Sequence, residues 1–393
     1  MDTVYLDHAA TTPTDPEVMA AMMRYFGSRF GNPSSIHARG RDAREALETA
    51  RVQVAALIGA APEEIVFTSG GTEADNLAIL GAAGARPAGR NHLVTSAIEH
   101  PAVLNACKSL VDGGCELTVL AVDPLGRIDP GAVREAIRDE TFLVSVMHGN
   151  NEIGTIEPIA EAARVARERG VPFHTDAVQT AGKIPVAVET LGVDLLSLAS
   201  HKIYGPKGVG ALYVRGGTHL APRQYGGHQE GGLRSGTENV PGIVGLGKAC
   251  EIARRDLADQ AVFLAYLRDR LEGAIRQALP ELRVNGHPEL RLPNILSVSA
   301  DGLTGEALVR EMDKQGFAVS AGSACTSEAP TLSHVLAALD LSAGEALGTV
   351  RFSLGRTNTV EQIDRAADAF IRIVSRLQAL AELEAAAGRR GCR

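Results

Sequence analysis

At roughly 150 residues per domain, a chain of 393 residues suggests two domains with a substantial core. With 45% hydrophobic and 22% charged residues, disordered and fibrous classes are excluded. Lys and Arg number 39 against 47 Asp and Glu, a net charge of −8 that argues against a surface built to neutralise nucleic-acid phosphates.

Met1 to His8 offers neither a basic n-region nor an apolar h-region, so no signal peptide is expected. No apolar run reaches the roughly 18 to 20 residues of a membrane span. The expectation is a cytoplasmic protein with no membrane and no direct nucleic-acid contact. Cys107, Cys115, Cys250, Cys325 and Cys392 are odd in number, scattered and without CxxC spacing, which points to free thiols and no metal site.

Short β-branched runs predict strands at 64–68, 92–96, 116–122, 142–147, 172–176, 194–198 and 210–214. Helical patterns separate them at 73–83, 101–110, 130–138 and 159–168. Such alternation implies an α/β fold with a mainly parallel sheet covered on both faces, and a site just beyond the carboxyl ends of its strands. From Val240 the pattern turns to long helices through about Ala278, strands at 294–299 and 350–354, and a last helix from Val360 to about Ala386. That reads as a smaller α+β domain, with the boundary near residue 255 and a frayed tail from Ala385.

Candidate chemistry clusters just after the predicted strands. Ser69-Gly70-Gly71-Thr72-Glu73 joins a strand to a helix, where backbone N–H groups can cradle a phosphate; capped turns of this kind are also common without a ligand. His100 follows one strand, and Asn150 and Asn151 follow another, placed for stacking, proton transfer or holding a substrate oxygen. Asp176 ends a strand, with Gln179 three residues on; a buried carboxylate there needs a cation, such as a pyridinium nitrogen, or else serves as a helix cap. Lys202, one of six lysines, follows an apolar strand. Desolvation would free its amine for a Schiff base, although a snorkelling lysine fits the same place. Cys325 sits in Ser320–Pro330, a run of small residues that reads as a mobile loop presenting a thiol. Arg351 and Arg356 flank a strand, and either offers a fork to a carboxylate or to a neighbouring acid.

Nine ordered segments extend these observations: Tyr5-Leu6-Asp7-His8-Ala9-Ala10-Thr11-Thr12-Pro13, Asn32-Pro33-Ser34-Ser35, Ser69–Glu73, Glu99-His100, Asn150-Asn151-Glu152-Ile153-Gly154, Asp176-Ala177-Val178-Gln179, Ser200-His201-Lys202, Arg234-Ser235-Gly236-Thr237 and Gly322–Ser327. Together they resemble the NifS/IscS-type (group I) cysteine desulfurases of the class V aminotransferase family, along nearly the whole chain. The resemblance implies fold type I, with a mainly parallel seven-stranded sheet, pyridoxal 5'-phosphate as cofactor and a homodimer. It further implies conversion of L-cysteine to L-alanine with sulfur left as a persulfide on Cys325.

By resemblance, Lys202 binds the cofactor and moves the α-proton. Asp176 pairs with the ring nitrogen, Gln179 with the phenolic oxygen, and His100 stacks and assists proton transfer. Gly71, Thr72, Ser200 and His201 form the phosphate set, with Thr237 from the other subunit. Asn151 and Arg351 take the substrate carboxylate. The family's serine three residues before the lysine is here Ala199, with Ser200 as its expected substitute. The implied domains are an N-terminal segment, 1–14, packing with the small domain; a large cofactor-binding domain, 15–255; and a small domain, 256–393, carrying Cys325. A sulfur-acceptor protein, serving iron–sulfur cluster assembly or another thiolation pathway, is the implied partner. The rival readings are a selenocysteine lyase, a simple β-lyase or a transaminase of the same fold, and a non-catalytic sulfur-relay scaffold.

Overall fold

Seven strands build the central sheet: β1 (Ile65–Thr68), β2 (His92–Ser96), β3 (Glu116–Leu120), β4 (Thr141–Ser145), β5 (Phe173–Asp176), β6 (Leu195–Ala199) and β7 (Gly210–Val214). Their spatial order is β1-β7-β6-β5-β4-β2-β3, with β7 alone running against the rest. The computed structural model describes residues 3–322, 324–326 and 329–391, with 324–326, 329–331, 382 and 384–391 described by backbone alone.

Every position of β2, β4 and β6 is buried, because helices cover both faces of the sheet. Val94, Val144 and Leu196 pack on one face, Leu93, Leu143 and Leu195 on the other. The second face is covered by α3 (Gly71–Ala85) and α4 (Pro101–Asp112). Two earlier helices, α1 (Pro16–Phe26) and α2 (Ala38–Ile58), are not evident in the strand–helix alternation. Much of the buried face of α2 is alanine (Ala43, Ala46, Ala50, Ala55), so its amphipathic signal is weak. The predicted 142–147 strand occupies 141–145, which frees Val146 and Met147 to lead into the Asn150 turn.

Helix α5 (Pro130–Ala136) and α6 (Ile159–Glu168) follow β3 and β4, and the 39-residue α7 (Val240–Ala278) begins at an Asn239 cap. The first half of α7 gives Ile243, Leu246 and Cys250 to the large core. Its second half gives Leu264, Leu267, Leu271 and Ile275 to a second core, so residue 255 falls inside a continuous helix. That second core underlies an antiparallel sheet of β8 (Arg283–Asn285), β9 (Ile295–Ser299), β10 (Ser320–Ala321) and β13 (Thr349–Ser353). Between them lie α8 (Gly305–Lys314), the hairpin β11 (Ala324–Thr326) and β12 (Ala329–Thr331), and α9 (His334–Ala337). The last helix, α10 (Val360–Gly391), continues past the expected end near residue 386. Among the described residues no helix is long and apolar enough to cross a membrane.

The N-terminal segment is a strap. Val4–Tyr5 pair in parallel with Phe317–Ala318, Asp7 bridges to Ser353, and Thr12 N–H donates to the His201 carbonyl at 2.9 Å. His8, 2% exposed, lies flat against Gly355, where an added methyl would land on the imidazole. A Gly355→Ala variant should therefore lose about 1–3 kcal/mol to overpacking. Thermal or denaturant unfolding checks this, and an unchanged midpoint would mean that His8 can move aside.

Candidate active site

The carboxyl ends of the parallel strands, the strap and β13 enclose a cavity of about 380 Å³. Its walls include Ala9, Ala10, Gly71, Thr72, His100, Asn151, Asp176, Gln179, Ala199, His201, Lys202 and Arg351. Nine residues assigned roles by the sequence thus converge from stretches far apart in the chain.

Lys202 follows β6, and its Nζ donates to the carbonyls of Ala9 and Ala10, both at 2.7 Å. Burial, with Arg351 nearby, lowers its pKa to about 8, against the opposing pull of Asp176 and Asp7. Asp176, 6% exposed, ends β5 and accepts from Val178 N–H at 2.8 Å; burial raises its pKa while that bond, His100 and Lys202 oppose the rise. The Gln179 Nε2 donates to the Ala9 carbonyl at 2.9 Å, leaving its buried Oε1 without a partner among the described residues.

His100 caps α4 by accepting Ala102 N–H on Nδ1 at 3.1 Å, so Nε2 is the nitrogen left for other work. Burial lowers its pKa, which keeps the ring neutral. Asn150 is structural: its side chain donates to the Ile98 carbonyl and accepts from Glu152 and Ile153 N–H, a turn that presents Asn151 to the cavity. Arg351 reaches the cavity from β13, whereas Arg356 does not: it pairs with Asp15 and stacks 3.9 Å over Tyr204.

Two assigned residues lie off the wall. Ser200 is fully buried with its hydroxyl beside Gly205, where an added methyl would meet it, and it does not line the cavity, whereas Ala199 does. Thr237 is exposed and outside the cavity. Cys325 belongs to β11 by its backbone, opposite Pro330, while its side chain and Cys392 lie outside the described residues. The hairpin's flanks are fixed: Gly322 N–H donates to Thr349, and the Ser333 hydroxyl, which caps α9, donates to Glu152 at 2.6 Å. Cys107, Cys115 and Cys250 are free and buried, and no group of three metal-ligating side chains occurs among the described residues.

The sequence did not flag a buried layer behind Asp176. Asp75, 1% exposed, also lines the cavity, 3.7 Å from His174, whose ring contacts the Ser145 and Ser197 hydroxyls. Burial, reinforced by Asp176, raises the Asp75 pKa well above the usual carboxylate range, and burial holds His174 neutral with a pKa near 3. The available signal was an acidic residue on the apolar face of α3, three positions after Thr72.

These groups suit pyridoxal phosphate. Asp176 supplies an anion where a ring cation would sit, the orphaned Gln179 Oε1 supplies an acceptor, and α3 opens at Gly71-Thr72 with N–H groups free for a phosphate.

Comparison with known proteins agrees. The family described as Aminotransferase class-V, a pyridoxal-phosphate-dependent family, matches residues 4–366. "Cysteine desulfurase IscS" of Dictyoglomus turgidum is 48% identical over 96% of this chain and 96% of its own length. Among solved structures, a "NIFS-LIKE PROTEIN" superposes with a TM-score of 0.89 at 37% identity, covering 95% of this chain and 99% of that one. Another, "SspA in complex with cysteine", gives 0.79 at 39% identity, covering 90% and 99%. With cavity, fold and sequence in agreement, the chain belongs to the class-V aminotransferases and, within them, to the IscS/NifS-type cysteine desulfurases.

Proposed function

We propose that this cavity converts L-cysteine to L-alanine, that the sulfur leaves on Cys325 as a persulfide, and that an acceptor protein then takes it. The observation that carries the reading is the convergence in one cavity of a lysine amine with lowered pKa, a buried carboxylate and an arginine.

Lys202, Asp176, Gln179, Gly71, Thr72, His201 and the His100 ring would hold the cofactor, joined by Thr237 of a second subunit in a homodimer. When bound, pyridoxal phosphate supplies a carbonyl for amines and a sink for the electron pair left by loss of the substrate's α-proton. Arg351 and Asn151 orient the substrate carboxylate. Lys202, neutral above about pH 8, accepts the α-proton. The His100 Nε2 moves a proton at the substrate thiol. The Cys325 thiolate attacks the substrate sulfur, the sulfur–sulfur bond forming as the carbon–sulfur bond breaks with its electron pair left on carbon. Protonation of that carbon, and return of the α-proton from Lys202 to Cα, yield alanine.

The test is to give the cofactor-loaded protein L-cysteine without reductant, alkylate it, and measure the mass of the peptide containing Cys325. One added sulfur on that peptide, with alanine in equal amount, is the expected result. Alanine or pyruvate without sulfur on the peptide would return the assignment to a simple lyase.

A further inference from the structure

Arg351 is gripped on two sides. Its Nη1 donates to the Asn151 carbonyl at 2.8 Å and its Nη2 to Asp7 Oδ1 at 2.7 Å. The Nε is buried and has no partner among the described residues. A guanidinium holds its donors in one rigid plane, so fixing both terminal nitrogens fixes the orientation of the whole group at the cavity wall. Arg351 lines the cavity and Asp7 does not, which places the carboxylate behind the guanidinium rather than in the substrate's space.

Asp7 is itself held. Its backbone bridges to Ser353, two residues along β13 from Arg351, so the ion pair spans the strap and the strand that carries its partner. Of the Arg351 side chain 10% is exposed and of Asp7 20%, so water competes weakly for the pair.

We propose that Asp7 is a positioning residue for the substrate: it pins the Arg351 guanidinium at the cavity wall so that the exposed part of the group meets an α-carboxylate, and thereby favours amino acids over amines. This rests on the reading of Arg351 as the carboxylate site. Asp7 is also part of the strap whose Ala9 and Ala10 carbonyls accept from Lys202, so a role confined to anchoring the strap must be distinguished.

The experiment uses the full-length, cofactor-loaded protein in a Cys325→Ala background, where sulfur is not removed by the enzyme. L-Cysteine and cysteamine, which lacks only the carboxylate, are titrated against the visible absorbance. Asp7→Asn should weaken L-cysteine about tenfold and Asp7→Ala more, with cysteamine changed less than about twofold. If Asp7→Ala does not fold, Asp7→Asn decides. Equal weakening of both ligands would assign Asp7 to the strap and overturn the proposal. Unchanged L-cysteine binding in the Asp7 variants, with weakening in Arg351→Gln, would also overturn it while leaving the Arg351 reading intact. Unchanged binding in Arg351→Gln would remove both.

Discussion

Lys202→Ala should abolish turnover, with kcat falling by at least about a thousandfold, because one amine both anchors the cofactor and carries the α-proton. The buried setting quantifies its availability. A pKa near 8 in place of 10.5 leaves about 300 times more free amine at neutral pH, through burial and the nearby Arg351. Two carbonyls, Ala9 and Ala10, then orient it. The loss should be visible in the spectrum as well as in the rate. Borohydride should fix the cofactor covalently in wild type and leave the variant unlabelled. Reloading of stripped wild type should accelerate as pH rises through about 8, since the neutral amine is the nucleophile and its fraction grows in that direction. A variant that retained covalent attachment would point to another lysine; Lys183, 8% exposed with a pKa lowered to about 7 by burial and by Lys202, is the one to examine.

Cys325→Ser should lose at least about a hundredfold in sulfide release while keeping the wild-type spectrum and cofactor content, because a hydroxyl at neutral pH does not replace a thiolate nucleophile. Cys107 and Cys250 cannot substitute: both are buried, and burial pushes the Cys107 thiol up to about 12 and Cys250 higher still. Sulfide and alanine assays beside the absorbance spectrum separate the outcomes. Full activity in the variant would mean that sulfur leaves without passing through the hairpin.

Most of the cavity was legible because strand periodicity placed motifs at strand ends. Lys202 and Thr72 each follow a mostly apolar strand and Asp176 ends one that is fully buried, and the parallel sheet brings such ends together. What the sequence left hidden depends on long-range packing. Asn150 and Asn151 are adjacent and alike, yet one braces a turn and the other faces the cavity, a difference set by the Ile98 carbonyl across the sheet. Arg351 and Arg356 were equivalent until Asp15 and Tyr204 claimed the second. Ser200 was expected on the wall, but the turn after β6 directs its hydroxyl toward Gly205. Asp75 resembled an ordinary helix acid, and its importance comes only from burial beside Asp176 and His174.

The strap also sets a timetable for synthesis. Asp7 and Arg351 are separated by 344 positions, and Ser353 anchors the same segment. At roughly 5–20 residues per second, the ribosome needs about 20–70 s between releasing the two ends of that contact. The central sheet and its helices can condense during this interval, and Gln179 and His201 can already hold Ala9 and Thr12, but Asp7 and Arg351 cannot meet until β13 has emerged. The Asp7–Arg351 pair therefore belongs to the end of biogenesis, and a chain that stalls before residue 351 would carry a folded sheet whose cavity lacks that wall.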